Sequence, residues 1–190
     1  MVIGGGAREH ALVWKLSQSS EVGEIYVTPG NAGTGLTANN LDIKSTELEP
    51  LAQAAQERRI DLTIVGPEAP LAEGIVDLFQ LYGLPIFGPT KEATKIESSK
   101  VFATELMQRY GIPCARSRSF SSFAEAKDYV KNQQPPIVVK ADGLAAGKGS
   151  IMANSTAEAL AALSEIMEKR IFGKAGDQVL VEECLSLIHI

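Results

Sequence analysis

Apolar and polar positions change their rhythm once along the chain, near residue 97. Up to residue 97, short apolar runs alternate with longer stretches in which apolar residues recur every three or four positions. Val2-Ile3, Glu24 to Val27, Asp61 to Val65 and Pro85 to Phe87 read as strands. Arg8 to Gln18 (Ala11, Leu12, Trp14, Leu16), Thr46 to Arg58 (Leu48, Leu51, Ala52, Ala55) and Leu71 to Tyr82 read as helices. Strands that alternate with helices form βαβ units around a parallel sheet, and such sheets hold ligands outside the carboxyl ends of their strands. Trp14 and the Ala and Leu residues of the helices are assigned to the core. Lys91, Glu92, Lys95 and Glu97 read as a solvated helix face with opposite charges at helical spacing.

From Ser98 the pattern changes to that of a smaller α+β unit. Ser98-Ser99-Lys100 opens a helix to Tyr110, Gly111 ends it, and Pro113 prevents a restart. Arg118 to Phe120 reads as a short strand, and Ser122 caps a helix to Lys131. Ile137 to Lys140 and Ile151 to Ala153 form a hairpin. Ser155-Thr156 caps a helix to Lys169, with Glu158 as a capping-box partner of Ser155, and Gln178 to Glu182 is a last strand.

The hairpin carries the most specific chemistry. Its turn, Asp142 to Ser150, holds Gly143, Gly147, Lys148 and Gly149, and Lys140 lies on the strand before it. Glycines let backbone N–H groups approach phosphate oxygens, and lysines supply point charges for a polyanion. The spacing is not that of a Walker A loop. Gly143 to Gly147-Lys148 is one residue short, Gly149 stands where a hydroxyl is needed, and a strand follows where a helix should begin. A plain hairpin turn with surface lysines is the competing reading.

The strand ends of the first region carry Gly4-Gly5-Gly6, Pro29-Gly30-Asn31-Ala32-Gly33-Thr34, Gly66-Pro67-Glu68 and Gly88-Pro89-Thr90. The first resembles a dinucleotide fingerprint, but Glu9 replaces its third glycine. The second strand also ends in Thr28-Pro29-Gly30 and not in an acid, so both features count against a nicotinamide dinucleotide. The turn can still take a phosphate at a helix N-terminus, with Arg8, Glu9 and His10 clustered there. A tight turn that binds nothing remains the alternative. Asn31 and Thr34 are either ligand contacts or turn formers. Glu68 either holds an amine or hydroxyl or caps the next helix. Of the adjacent Glu182 and Glu183, which point to opposite faces of a strand, at least one is assigned a polar partner.

Composition narrows the function classes. The 190 residues are 45% hydrophobic and 22% charged, with a net charge of −5. That is enough apolar content for one or two cores, and the wrong sign for a nucleic-acid surface. Cys114 and Cys184 are far apart and without metal-ligand spacing, so they read as packing residues in a reducing compartment. No apolar run is long enough for a membrane span, and cytoplasm is the expected location. The first strand is short and the chain stops eight residues after Glu182, so both ends read as cut.

Taken in order, Gly-Gly-Gly-Ala-Arg-Glu-His-Ala-Leu, Pro-Gly-Asn-Ala-Gly-Thr, Val-Gly-Pro-Glu-Ala-Pro-Leu, Phe-Gly-Pro-Thr, Glu-Ser-Ser-Lys and Val-Lys-Ala-Asp-Gly-Leu-Ala-Ala-Gly-Lys-Gly resemble the phosphoribosylamine–glycine ligases of the ATP-grasp superfamily. The resemblance implies an N-terminal Rossmann-like α/β domain over residues 1–97. It implies the first part of an ATP-grasp α+β domain over 98–190, with a small lid subdomain at about 114–183. It implies ATP contacts at Lys100, Lys140, Gly143, Gly147, Lys148, Gly149, Ser150, Glu182, Glu183 and Leu185. For the ribose phosphate it implies Gly4, Gly6, Arg8, Glu9, His10, Asn31, Gly33, Thr34, Pro67 and Glu68. The implied reaction joins glycine to 5-phosphoribosylamine with ATP and Mg²⁺ (or Mn²⁺), in de novo purine synthesis. The metal ligands and catalytic residues are expected beyond this chain, so these 190 residues alone are expected to be inactive. The residues after about Leu185 depart from the family pattern. The implied partners are small molecules, with neither nucleic acid nor membrane, and a monomer is the starting expectation. Another ATP-grasp ligase or carboxylase subunit, or a nucleotide- or phosphosugar-binding module without turnover, are the alternatives.

Overall fold

A computed structural model describes residues 1–145 and 148–185. The chain divides into two compact units, Met1–Thr94 and Lys95–Ile190.

The first unit runs β1 (Val2–Gly4), α1 (Ala7–Leu16), β2 (Tyr26–Pro29), a 3₁₀ turn (Thr34–Leu36), β3 (Asn39–Asn40), α2 (Leu48–Glu57), β4 (Thr63–Val65), α3 (Glu68–Glu73), α4 (Ile75–Leu81) and β5 (Ile86–Phe87). The five strands are ordered β3-β2-β1-β4-β5, and every pairing is parallel. Val2 lies opposite Val27 on one side and Ile64 on the other, so β1 is the central strand. Its alternating side chains feed two cores. Ile3 packs with Leu51, Ile75 and Phe79 from α2 and α4, and Val2 packs with Val13, Ile25 and Val27 on the α1 side. Helices therefore cover both faces, as a parallel sheet requires, and the polar positions are displaced to the strand ends.

Three features depart from the sequence pattern. Trp14 is 57% exposed and Leu12 is exposed, while Val13 and Glu9 are buried. The inward stripe of α1 runs Glu9, Val13 and the half-buried Leu16, and Trp14 lies about 100° around the helix from Val13. The helix expected over Leu71 to Tyr82 is two helices, broken at Gly74. Gly74 has φ 98°, a left-handed conformation that ends α3 and starts α4, and glycine adopts it without a Cβ penalty. The edge strand β3 was not foreseen; its two asparagines carry no apolar signal.

After α5 (Lys91–Ser98), the second unit runs α6 (Lys100–Arg109), β6 (Ser117–Phe120), α7 (Phe123–Lys131), β7 (Ile137–Ala141), β8 (Ser150–Ala153), α8 (Thr156–Leu163), a π-type turn (Ser164–Glu168), a 3₁₀ turn (Gly173–Gly176) and β9 (Val179–Glu183). Its sheet is antiparallel, ordered β6-β9-β7-β8. Ile137, Val139 and Ala141 of β7 and Val179 and Val181 of β9 face α7 and α8, where Val130, Ala159, Leu163 and Ile166 complete the core. Strand alternation sends Val138, Lys140, Leu180 and Glu182 to the other face.

The caps fall where the sequence placed them. Ser122 Oγ accepts from the Glu125 N–H and Ser155 Oγ from the Glu158 N–H. The Glu158 carboxylate, however, reaches the Asn154 N–H at 2.9 Å, one residue before the expected partner. The helix expected to reach Lys169 keeps α geometry only to Leu163. The backbone widens over Ser164–Glu168, where Gly176 lies so close to the Ile166 carbonyl that an added Cβ would sit 2.1 Å from it.

Candidate functional site

In the first unit, the loops after β1, β2 and β4 are built around four side chains, Glu9, His10, Asn31 and Thr34. The Gly6 N–H donates to Glu9 Oε2 at 2.6 Å, which satisfies one free donor of the α1 N-terminus. Glu9 is 4% exposed, and its other oxygen, Oε1, is buried without a hydrogen-bond partner. Glycines from two strand ends close on this carboxylate. A Cβ at Gly4 would lie 2.5 Å from Glu9 Cγ, and one at Gly66 would lie 2.2 Å from Oε1. Glu9 thus fills the gap between the loops after β1 and β4.

Asn31 performs the same task between the loops after β1 and β2. Its Nδ2 donates to the Gly5 carbonyl at 3.0 Å, and its Oδ1 accepts from the Gly33 and Thr34 N–H groups at 2.8 and 3.1 Å. Thr34 Oγ1 accepts from the Asn31 N–H, and Asn40 Nδ2 donates to the Asn31 carbonyl, both at 2.8 Å. The His10 ring lies under Gly33, where a Cβ would come within 2.3 Å of it. Glu9, Asn31, Thr34 and His10 therefore hold the loops in place. Gly5, Gly6 and Arg8 remain exposed at the α1 N-terminus. Arg8 pairs with Glu68 at 3.5 Å with side chains 75% and 41% exposed, a weak solvated contact. Glu68 follows Pro67 as the first residue of α3.

In the second unit the chemistry lies on the sheet itself. Lys140 on β7 is opposite Leu180 and forms an ion pair with Glu182, two residues along β9 on the same face. The Lys140 and Glu182 side chains are 27% and 13% exposed, so this pair is better shielded than Arg8–Glu68. Glu183 points the other way. Its carboxylate accepts from the Arg116 N–H, Nε and a terminal guanidinium nitrogen, each at 2.8 Å. The hydrogen bond and charge of Glu183 raise the Arg116 pKa. Both carboxylates that the sequence placed at this strand end have polar partners.

The hairpin closes through the Ala141 N–H to the Gly149 carbonyl at 2.8 Å, and the Lys148 N–H donates to the Ala145 carbonyl at 2.9 Å. Gly143 has φ 131°, a conformation open to glycine, and Ala175 stands 2.9 Å from where its Cβ would be. Gly149 is buried, whereas Lys148, Ser150 and Leu185 are exposed. Gly147 lies outside the described residues, as do the residues after Leu185. Lys100 Nζ donates to the Gly143 carbonyl at 2.8 Å, so Lys140 and Lys100, the latter implied only by the resemblance, are tied to β7 and to the loop that follows it.

Nothing in the local pattern places a helix terminus at this loop. The structure brings the α6 N-terminus to its base through Asp142, whose Oδ1 accepts from the Val101 N–H at 3.1 Å across 41 positions of sequence. Local patterning carries no signal for so distant a contact. Among the described residues, no three His, Cys, Asp or Glu side chains gather as a metal site. No described helix is long and apolar enough to cross a membrane.

Residues 1–97 match the family model for the phosphoribosylglycinamide synthetase N domain, and residues 98–188 match the model for its ATP-grasp (A) domain. A phosphoribosylamine–glycine ligase of Caldanaerobacter subterraneus is 51% identical over 185 residues, covering 97% of this chain and 44% of the relative. The bovine trifunctional purine biosynthetic protein adenosine-3 is 50% identical over 189 residues, covering 98% of this chain and 19% of that protein. The crystal structure of a phosphoribosylamine–glycine ligase from Thermotoga maritima superposes with a TM-score of 0.78 at 28% identity, covering 97% of this chain and 43% of that one. The chain thus spans less than half the length of these relatives.

Proposed function

The chain belongs to the phosphoribosylglycinamide synthetase family, and on that premise we propose that it takes part in the ATP-dependent joining of glycine to 5-phosphoribosylamine. Residues 1–97 form the phosphosugar-binding domain in this reading, and residues 98–190 begin the ATP-grasp domain. The observation that carries it is the joint placement of Lys100, Lys140 and the glycine loop in a segment that matches the family's ATP-grasp model. The glycine carboxylate would take the γ-phosphoryl group of ATP, releasing ADP. The phosphoribosylamine nitrogen would then attack the acyl carbon of glycyl phosphate, form the amide and expel phosphate. Groups of this kind act by position and charge.

Lys100 and Lys140 would neutralise phosphate oxygens, and the amides of Gly143, Gly147 and Gly149, with Lys148 and Ser150, would close around them. Glu182 and Leu185, with the backbone of Glu183, would hold the nucleoside end. Lys140 would exchange part of its contact with Glu182 for phosphate. In the first unit, Gly6 and Arg8 would take the ribose phosphate at the α1 N-terminus, with the buried Gly4 shaping the turn behind them. Glu68 would exchange its loose Arg8 contact for a donor on the sugar, beside Pro67. Glu9, His10, Asn31, Gly33 and Thr34 would keep the loops in register. Magnesium or manganese, which the family implies, would enter with the nucleotide. The described residues supply no ligand cluster for it.

We place the reaction in the cytoplasm and assign completion of the active site to residues outside these 190. Calorimetry of the chain with ATP should give a heat of binding that Lys140→Ala removes. A coupled assay for ADP release with glycine and phosphoribosylamine should stay at background. An ATP signal indifferent to Lys140→Ala would remove that lysine from the site, and turnover by this chain would refute the need for further residues.

A further inference from the structure

One carboxylate in the second unit bridges two segments that the sequence keeps far apart. Asp142 directly follows β7, and its own N–H is fixed to the Gln178 carbonyl at 3.0 Å. Its Oδ2 is 3.1 Å from Ser99 Oγ, and its Oδ1 accepts from the Val101 N–H at 3.1 Å. The residue between those two contacts is Lys100, and Lys100 Nζ donates to the carbonyl of Gly143, the residue after Asp142. The grip is reciprocal: Ser99 and Val101 hold Asp142, and Lys100 holds Gly143.

Helix stability alone does not account for this arrangement. The ten-residue helix α6 already has a local cap, since Ser99 Oγ accepts from the Phe102 N–H at 3.1 Å. Asp142 supplies a second acceptor from a distant strand, and its negative charge suits the positive end of the helix. A second cap tied to a strand end also fixes the angle at which α6 leaves the sheet, and with it the point from which the Lys100 side chain emerges.

We propose that Asp142 is a positioning residue for Lys100, holding the α6 N-terminus against the end of β7 so that the Lys100 ammonium stands at the mouth of the glycine loop, where it meets phosphate. This rests on the reading of Lys100 as an ATP contact. The substitutions Asp142→Ala, Asp142→Asn, Lys100→Ala and the double Asp142→Ala/Lys100→Ala test it in this chain. Asn keeps an acceptor for the Val101 N–H, and its amide can donate to Ser99 Oγ.

Asp142→Ala is expected to weaken ATP binding about tenfold by calorimetry, the scale of losing a charged cap and the lysine placement it sets. Asp142→Asn should stay within about threefold of the parent, and the double substitution should be no weaker than Lys100→Ala alone. Penalties that multiply in the double variant would overturn the proposal, because Asp142 would then act independently of Lys100. Failure of Asn to rescue a folded protein would overturn it as well.

A second readout needs no nucleotide: the rate at which a small N-hydroxysuccinimide ester acylates Lys100, followed by mass spectrometry. Asp142→Ala should raise that rate several-fold and Asp142→Asn should not. If the parent chain binds no ATP but shows this pattern, the nucleotide reading fails and the positioning of Lys100 stands. If the rates are equal, the positioning itself is refuted.

Discussion

The two units solve the same problem, presenting polar groups to a small ligand, with opposite geometry. The sheet of the first unit is parallel and carries helices on both faces, so Val2, Ile3 and Val27 are all spent on packing. Its chemistry is displaced to loops at the strand ends, and those loops need braces such as Glu9 and Asn31 to hold a shape. The sheet of the second unit is antiparallel and packs one face against α7 and α8, leaving Val138 and Leu180 beside polar positions on the other. Lys140 and Glu182 project from the next-to-last positions of their strands on that face. A side chain on a strand is held by the ladder itself. The same residue types are therefore cheap to position in one unit and demand a network in the other.

The sharpest test of that contrast is the close packing around Glu9. Gly66→Ala would place a Cβ 2.2 Å from Glu9 Oε1. It is expected to lower stability by about 3 kcal/mol in denaturant unfolding, at the upper end for overpacking. In a Glu9→Ala background the same change should lose most of that penalty, because the obstructing side chain is gone. Equal penalties in both backgrounds would mean that Glu9 is not the brace described here.

Lys140→Met and Arg8→Ala set the two kinds of site against each other. The first removes the partner of a largely shielded Glu182, and a loss of about 1–2 kcal/mol is expected, reduced from the buried-pair figure because solvent still reaches both groups. The second removes a contact with a side chain 75% exposed, and a change below about 0.5 kcal/mol is expected. Thermal unfolding of both variants would reverse the comparison if Arg8→Ala proved the more damaging. Replacing the cap Ser122 or Ser155 by alanine should lower stability by about 1 kcal/mol each, since each hydroxyl takes a first-turn amide.

Another small effect is a pH dependence at the N-terminal end of β1, the central strand of the first sheet. The Met1 amine donates to the Leu62 carbonyl at 2.7 Å, and burial lowers its pKa from 8.0 to about 6 against the opposing pull of Asp61. Between those values the unfolded chain holds the proton more often than the folded one. Stability is therefore full above pH 8, declines as pH falls toward 6, and levels off below. Met1 is largely buried but its amine is only partly desolvated, and the change should be on the order of 1 kcal/mol. Acetylation of the amine should flatten this part of a stability-against-pH curve, and an unchanged slope would place its cause elsewhere.

Most strands and helices were legible because their signals are local. Leu48, Leu51, Ala52 and Ala55 mark one face of α2, and Ser122 and Ser155 sit immediately before helices they do cap. What was misread had a local signal that pointed the wrong way or none. Trp14 is apolar yet exposed, because the rotation of α1 is set by Glu9 and Val13 meeting the sheet. Gly74 lies inside an apolar helical pattern and breaks it by adopting φ 98°. β3 consists of two asparagines whose place is set by pairing with Tyr26 and Val27. Among the candidate site residues, the types and the loops were readable. Which of them hold the loops and which remain exposed was not, because Glu9, a charged residue beside a glycine turn, gives no local sign that it is buried.

The sequence alone determined the alternation of elements, the change from parallel to hairpin architecture near residue 97, the non-Walker spacing of the glycine loop and the kinship that its motifs carry. All of these depend on near neighbours along the chain. Tertiary structure decided that Lys140 pairs with Glu182 and Glu183 with Arg116, that Glu9 fills the space left by Gly4 and Gly66, and that Asp142 grips both sides of Lys100. Each of these joins residues 40 or more positions apart, except Glu9 with Gly4. Such contacts follow from the order of strands in a sheet, which no local pattern of polar and apolar residues encodes.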